Sequence, residues 1–251
     1  MMKKYYSIFF VFIAIFVTPL SLKAAPVTIT ADPYEDAVHH RISLYLWGSG
    51  MSGNMGNAAG AAPVDLTFED ILDNLEAGIM ANYRLKKGHW AFNFDYIYLN
   101  VSPSSDMPPA TVDLKQTIAE LSVGYEVSPG LELLAGARYV DIDMNATINI
   151  TPPPPAITGA DDWIDPIIGL DYRAALSDKW NFFGRADVGG FGVGSDLSYQ
   201  LGAYFGYMPS KSWNLYAGYR HLDFDYKSDN DKKFFYDMTL SGPLVGFGYH
   251  F

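Results

Sequence analysis

The feature that most constrains this chain is a side-chain period of two, sustained through segment after segment. Over 75–85 the odd positions are Leu75, Ala77, Ile79, Ala81, Tyr83 and Leu85, while Glu76, Gly78, Met80, Asn82 and Arg84 hold the even ones. Over 90–98 the even positions are Trp90, Phe92, Phe94, Tyr96 and Tyr98, with Asn93 and Asp95 opposite. Over 119–127 Ala119, Leu121, Val123, Tyr125 and Val127 alternate with Glu120, Ser122, Gly124 and Glu126, and 197–207 behaves alike. A helix repeats every 3.6 residues and cannot present such a pattern on one face. Strict alternation gives strands with one apolar and one polar side.

Two architectures use such strands. A sandwich hides the apolar face inside, and a membrane barrel turns it outward to lipid. Here the polar face mixes Gly, Ser and Ala with Arg, Asp and Glu, as a narrow lumen requires. The apolar face carries Trp and Tyr at strand ends, where a lipid interface holds them. Aromatic residues make up 16% of the 251 positions, which fits two such girdles. The reading is all-β: a transmembrane, antiparallel, up-and-down β-barrel. A net charge of -11 excludes a nucleic-acid-binding face, and the absence of cysteine excludes disulfides, thiolate chemistry and a lipid-modified N-terminal cysteine.

Strands are expected at 41–52, 75–86, 89–101, 112–127, 131–147, 162–176, 180–190, 197–208, 213–226 and 234–251. That makes ten, with eight or twelve also compatible with the pattern. The connections at 86–88, 128–130, 177–179 and 209–212 are short and belong at the periplasmic end. Those at 53–74, 102–111, 148–161, 191–196 and 227–233 are long and belong outside. Several short turns are followed by a large apolar residue, so Trp90, Trp180 and Trp213 are expected to form one aromatic girdle. Thr67 and Asp70 form a capping-box pattern ahead of Phe68, Ile71, Leu72 and Leu75, a short helix serving as a lid or facing solvent.

The N-terminus has the layout of an export signal. Lys3 and Lys4 precede an uncharged apolar run from 5 to 22, and Ala24 and Ala25 follow it. The expected division is a signal peptide over 1–24 and a barrel domain over 25–251. No later segment offers 18 uncharged apolar residues, so no membrane helix is expected downstream.

The last strand places Val245, Phe247, Tyr249 and Phe251 on one face and Gly242, Gly246, Gly248 and His250 on the other. It resembles the C-terminal strand of small outer-membrane β-barrel proteins of Gram-negative bacteria, which ends in Phe or Trp after alternating aromatics. The glycine-rich run at 184–196 also resembles a stretch found in proteobacterial outer-membrane proteins. The resemblance implies residence in the outer membrane, contact with its lipid and lipopolysaccharide, and recognition of Phe247, Tyr249 and Phe251 by the barrel assembly machinery. It implies no activity.

The inward phase carries many charges. Asp95, Glu120, Arg138, Asp171, Arg185, Asp187 and Arg220 are expected to interleave as one network that fills the lumen, because a narrow barrel interior tolerates charges only in pairs. Arg84, Glu126, Glu132, Asp165 and Arg173 share that face. The function expected is that of a structural or surface-exposed barrel protein with a plugged polar lumen. A narrow channel for small or hydrophobic solutes is the alternative, and a lipid- or peptide-cleaving barrel the third. His221 with Asp223 and Asp225 is the one catalytic-looking cluster near the outer rim. The glycines at 189–194 lack the lysine and helix of a phosphate loop. The acidic residues Asp223, Asp225, Asp229, Asp231 and Asp237 match no calcium-loop spacing. No cofactor and no metal is expected.

Overall fold

The computed structural model describes residues 37–58, 60–102, 104–106, 109–148, 157–228 and 234–251. The segment expected to be a signal peptide, 1–24, the prolines at 152–155, and Asp229 and Asp231 lie outside the described residues.

Ten antiparallel strands close a barrel: β1 (Val38–Trp47), β4 (Leu75–Lys87), β5 (Trp90–Val101), β7 (Pro109–Ser128), β8 (Leu131–Ile148), β9 (Ile157–Ala175), β10 (Trp180–Gly190), β11 (Leu197–Tyr207), β12 (Trp213–Lys227) and β13 (Phe235–His250). Closure is made by β1 on β13, with Arg41 opposite His250 and Trp47 opposite Leu244. Three strands lie outside this circuit: β2 (Gly50–Asn57), β3 (Gly60–Leu66) and β6 (Ser104–Asp106). Among the described residues no helix is long and apolar enough to cross a membrane.

The region expected to be an open loop at 53–74 is mostly regular structure. Beyond Trp47 the chain stays in register along β13, so that β2 pairs Gly50 with Ser241 and Gly56 with Phe235. Only Gly48 and Ser49 interrupt the ladder, opposite Pro243. Proline has no N–H to give, and the Gly48 N–H donates to its carbonyl at 2.8 Å. β3 then folds back on β2. Helix α1 (Phe68–Asp73) follows with its capping box formed: the Asp70 N–H donates to Thr67 Oγ1 at 3.2 Å and the Thr67 N–H to Asp70 Oδ2 at 2.8 Å. Of the apolar side expected for it, Ile71 is buried, while Leu72 and Leu75 are exposed. The expected loops at 102–111 and 148–161 are likewise shortened, because β7, β8 and β9 extend upward together, with Ala110 opposite Ile148 and Ala146 opposite Ile157.

On β5, β7, β8, β9, β12 and β13 the polar and apolar faces exchange along the strand. In the half nearer the short turns the outward side chains are apolar. On β7 these are Ala119, Leu121, Val123, Tyr125 and Val127, with Glu120 and Ser122 buried inside; Leu121 is 47% exposed and Ser122 1%. Above this level the inward residues of β7 are Leu114 and Ile118 and the outward ones Asp113 and Lys115. On β8 Arg138 is inward below, then Val140, Ile142 and Met144, with Asp141, Asp143 and Asn145 outward. On β12 Arg220 gives way to Leu222, Phe224 and Tyr226, with Asp223 and Asp225 outward. The lower half has the sidedness of a lipid-embedded barrel. The upper half has that of a water-soluble one.

The upper interior is therefore a close-packed apolar core and not a bore. Trp163 stacks on Tyr226 with ring centroids 3.9 Å apart and packs edge-on against Phe224 at 6.0 Å. Met51 and Met55 of β2, Ile71 of α1, and Tyr236, Met238 and Leu240 of β13 complete it. Within it Gln116 Nε2 donates to the Tyr236 hydroxyl at 2.8 Å and Trp47 Nε1 to the Gly242 carbonyl at 3.3 Å, while the indole N–H of Trp163 is buried without a partner.

Candidate functional site

Below this core the lumen is polar, and its charges fall into three groups. In the middle, Arg138 donates to Glu120 at 2.8 Å and to Asp187 at 2.6 Å, and Arg185 bridges the same two carboxylates, reaching Asp187 at 2.7 Å. All four come from neighbouring walls, because β7 and β8 pair Glu120 with Arg138 while β10 presents Arg185 and Asp187 on one face. Arg138 and Asp187 are fully enclosed. Arg220 is joined to this square through Gln200, whose Nε2 donates to Asp187 at 3.1 Å. It donates to Asp95 at 3.1 Å, to Gln200 at 2.8 Å and to Tyr45 at 3.2 Å, and lies over the Trp47 ring at 4.9 Å.

The third group lies toward the short turns. Arg84 holds Glu132 with two contacts, at 2.5 and 2.7 Å, and Lys86 joins Glu132 to Glu126. Asp171, expected in the central network, is instead 3.4 Å from Arg173 and 3.9 Å from Arg84. Of the seven residues expected to form one network, Glu120, Arg138, Arg185 and Asp187 pair directly, and Asp95 and Arg220 join them through Gln200, while Asp171 sits with the lower group. Asp165 serves a turn instead. Its carboxylate accepts from the Ser195 N–H and hydroxyl, both at 2.7 Å, and so fixes the β10–β11 connection. That turn explains the glycine-rich run: Gly190 has φ +87 and a Cβ there would sit 2.5 Å from the Ser195 carbonyl.

Sequence reasoning missed Arg41 and Tyr45, while the alternation over 197–207 does turn Gln200 toward the lumen. The signal for the first two was present, since Arg41, Ser43 and Tyr45 alternate with Ile42, Leu44 and Leu46. With Arg41, Arg173 and Arg220, Tyr45 and Gln200 line a cavity of about 340 Å³ under Trp47 and Leu244, open toward the short turns.

The remaining sequence candidates are placed plainly. Trp90, Trp180 and Trp213 are exposed at the short-turn rim, each packed on the tyrosine opposite it: Tyr125 at 4.9 Å, Tyr207 at 5.1 Å and Tyr249 at 5.0 Å. Phe247, Tyr249 and Phe251 face outward, and the Phe251 ring stacks on His40 at 5.1 Å. His221 stacks on Tyr199, 3.2 Å from its hydroxyl, while Asp223 accepts from Thr239 and Asp225 from Lys227. These three side chains therefore do not converge on a reacting atom. Among the described residues no group of three or more His, Asp or Glu is placed to hold a metal ion. On the outer surface of the upper half, burial and then the facing carboxylates Asp162 and Asp143 hold the Asp141 carboxyl above its usual range. Burial, reinforced by Asp161, pushes the Tyr226 hydroxyl up to about 12.

No protein-family model matches the chain, and no curated protein does. Among solved structures, the outer-membrane protease OmpT of Escherichia coli is 11% identical, with 85% of this chain and 96% of that one covered and a TM-score of 0.48. The translocator domain of the autotransporter NalP of Neisseria meningitidis is 15% identical, with 85% and 88% covered and a TM-score of 0.45. The attachment invasion locus protein Ail of Yersinia pestis is 11% identical, with 86% and 99% covered and a TM-score of 0.35. Each is a likeness of overall form, and the function proposed for this chain rests on its own side chains.

Proposed function

We propose that the protein is an integral outer-membrane β-barrel, non-conducting and non-enzymatic, that carries a solid stalk above the bilayer and presents it to the cell exterior. The observation that supports this most is the reversal of sidedness along the strands. A belt of exposed Leu, Val, Ile, Trp and Tyr surrounds the lower half and is stable against lipid and not against water. Above it the apolar core leaves no path for solute, and beneath that core the Arg138 square, linked through Gln200 to Arg220, Tyr45 and Asp95, crosses the lumen. The short turns, the start of β1 and the end of β13 then lie in the periplasm, and α1 with β2 and β3 lies outside. The outward Phe251 strand is the part offered to the assembly machinery during insertion.

A channel would need a continuous polar bore. Planar-bilayer recording of the refolded protein decides between the two. The expected result is no unitary conductance at either polarity. Stable open steps that vanish when Arg138 and Arg220 are replaced would overturn the closed reading and promote the channel.

A further inference from the structure

The cavity in the lower half has no part in a stalk. Its volume, about 340 Å³, falls in the range of small-molecule sites, roughly 300–1,000 Å³. Its upper part is charge-balanced, since Arg220 has Asp95 and Arg185 has Glu120 and Asp187. Its mouth is not. There Arg41 and Arg173 line the wall beside Asp171, two cations against one carboxylate, with Arg84, Lys86, Glu126 and Glu132 behind them. Arg84 and Lys86 take up both glutamates. Asp171 is shared by Arg84 and Arg173. Among the described residues Arg41 has no carboxylate within ion-pair distance. Its side-chain partner is the Asn82 amide oxygen at 3.2 Å, and Asp171 and Glu132 act on it only from farther off. Arg173 has Asp171 at 3.4 Å and the Phe183 ring at 4.0 Å from its guanidinium carbon.

A guanidinium carries five donors. Each of these two uses one in a side-chain hydrogen bond within the protein, and both line the cavity, within each other's electrostatic reach. Two like charges are not held together in a partly dry lumen without an anion between them or water around them. The Nε–H groups of Arg41 and Arg173 are buried without a partner, and His250, which lines the same mouth, adds a ring nitrogen Nε2 that finds none. The walls beyond are apolar or aromatic: Phe183, Tyr204, Tyr216 and Met208.

We propose that this cavity binds one small organic anion, a carboxylate or phosphate monoester on a compact apolar or aromatic body. The acid group lies between Arg41 and Arg173, and the body points up toward Tyr204 and Leu244. The site depends on the closed-barrel reading for one thing only, that the ligand enters and leaves by the periplasmic end.

The test uses the full mature protein in phosphatidylcholine vesicles and titrates benzoate, phenyl phosphate, inorganic phosphate and benzyl alcohol by calorimetry. Saturable binding of benzoate or phenyl phosphate is expected, and which of them binds identifies the acid group. Benzyl alcohol is expected not to bind. Inorganic phosphate binding as tightly as phenyl phosphate would overturn the role given to the apolar walls. Arg41→Gln and Arg173→Gln should each weaken binding about tenfold or more, as loss of a charge-assisted hydrogen bond does, with Lys211→Gln in an exposed turn unchanged. Ala175→Trp keeps every charge and fills the mouth, so it decides the matter if an arginine variant fails to give the heat-modifiable folded band. Absence of saturable binding, or binding indifferent to all three cavity substitutions, overturns the proposal. Binding lost with conductance still absent refutes this site alone, whereas conductance refutes the closed barrel.

Discussion

At the level of single residues the lumen obeys one rule, that no ionised side chain is enclosed without a partner unless it faces the cavity. Arg138 is the extreme case. It is fully enclosed and holds both Glu120 and Asp187. Arg138→Ala should destabilise the folded barrel by about 3–5 kcal/mol, because Arg185 alone must then neutralise two buried carboxylates. Replacement of exposed Lys211 should change stability by less than about 0.5 kcal/mol. Urea unfolding in vesicles measures both. That these charges face inward was legible from the alternation alone. Their partition was not. Which carboxylate meets which arginine depends on strand stagger, which shifts the level of every residue around the wall and leaves no local trace in sequence. Arg41 escaped for a simpler reason: it is the first residue of the strand expected at 41–52, where the pattern has only just begun, although β1 itself starts at Val38. Gly246 shows the same limit. Its lack of a side chain is explained only by the Tyr216 ring, which would lie 2.5 Å from a Cβ there.

At the level of the strand the sequence carries two patterns of identical period joined end to end, and the join is what the alternation conceals. Where the sidedness reverses, two apolar residues stand side by side: Ile118 with Ala119, Tyr139 with Val140, Trp163 with Ile164. Those doublets were the available signal. Periodicity alone counts strands well, and ten is the number in the closed circuit, but it is blind to a change of which face is apolar. The reversal has a direct consequence. Val123→Arg lies at the centre of the outward apolar band of β7 and should cost about 2–4 kcal/mol. Asp143→Arg faces outward on the adjacent strand β8, above the reversal, and should cost under about 0.5 kcal/mol. Ile142→Ala, one residue away and inward, should cost about 2–5 kcal/mol, because it opens a cavity in a packed core. The three unfolding midpoints together locate the reversal. Equal penalties for the two arginine variants would mean that the lipid band continues upward.

At the level of the whole molecule these strands are longer than a bilayer asks for. Crossing takes about 9–11 residues, and the apolar outward stretch of β7 at 119–127 supplies that by itself, yet β7 runs for 20 and β8 for 18. The surplus is the stalk, sealed by its own core and closed at one corner by β2, β3 and α1. Its height above the lipid is measurable, because the chain has no cysteine and any thiol introduced is the sole one. A cysteine at Asp143 should react with a membrane-impermeant maleimide added to intact cells. One at Val123 should resist the reagent from both sides until detergent removes the lipid, since a reagent that needs water cannot reach a thiol inside the hydrocarbon belt. One at Lys179, in a short turn, should react only once the outer membrane is permeabilised. Labelling of position 179 in intact cells would invert the orientation and put the anion cavity on the outside. Protection of position 143 would place the upper half within lipid, which its outward Asp141, Asp143 and Asp162 make physically untenable unless a partner covers them.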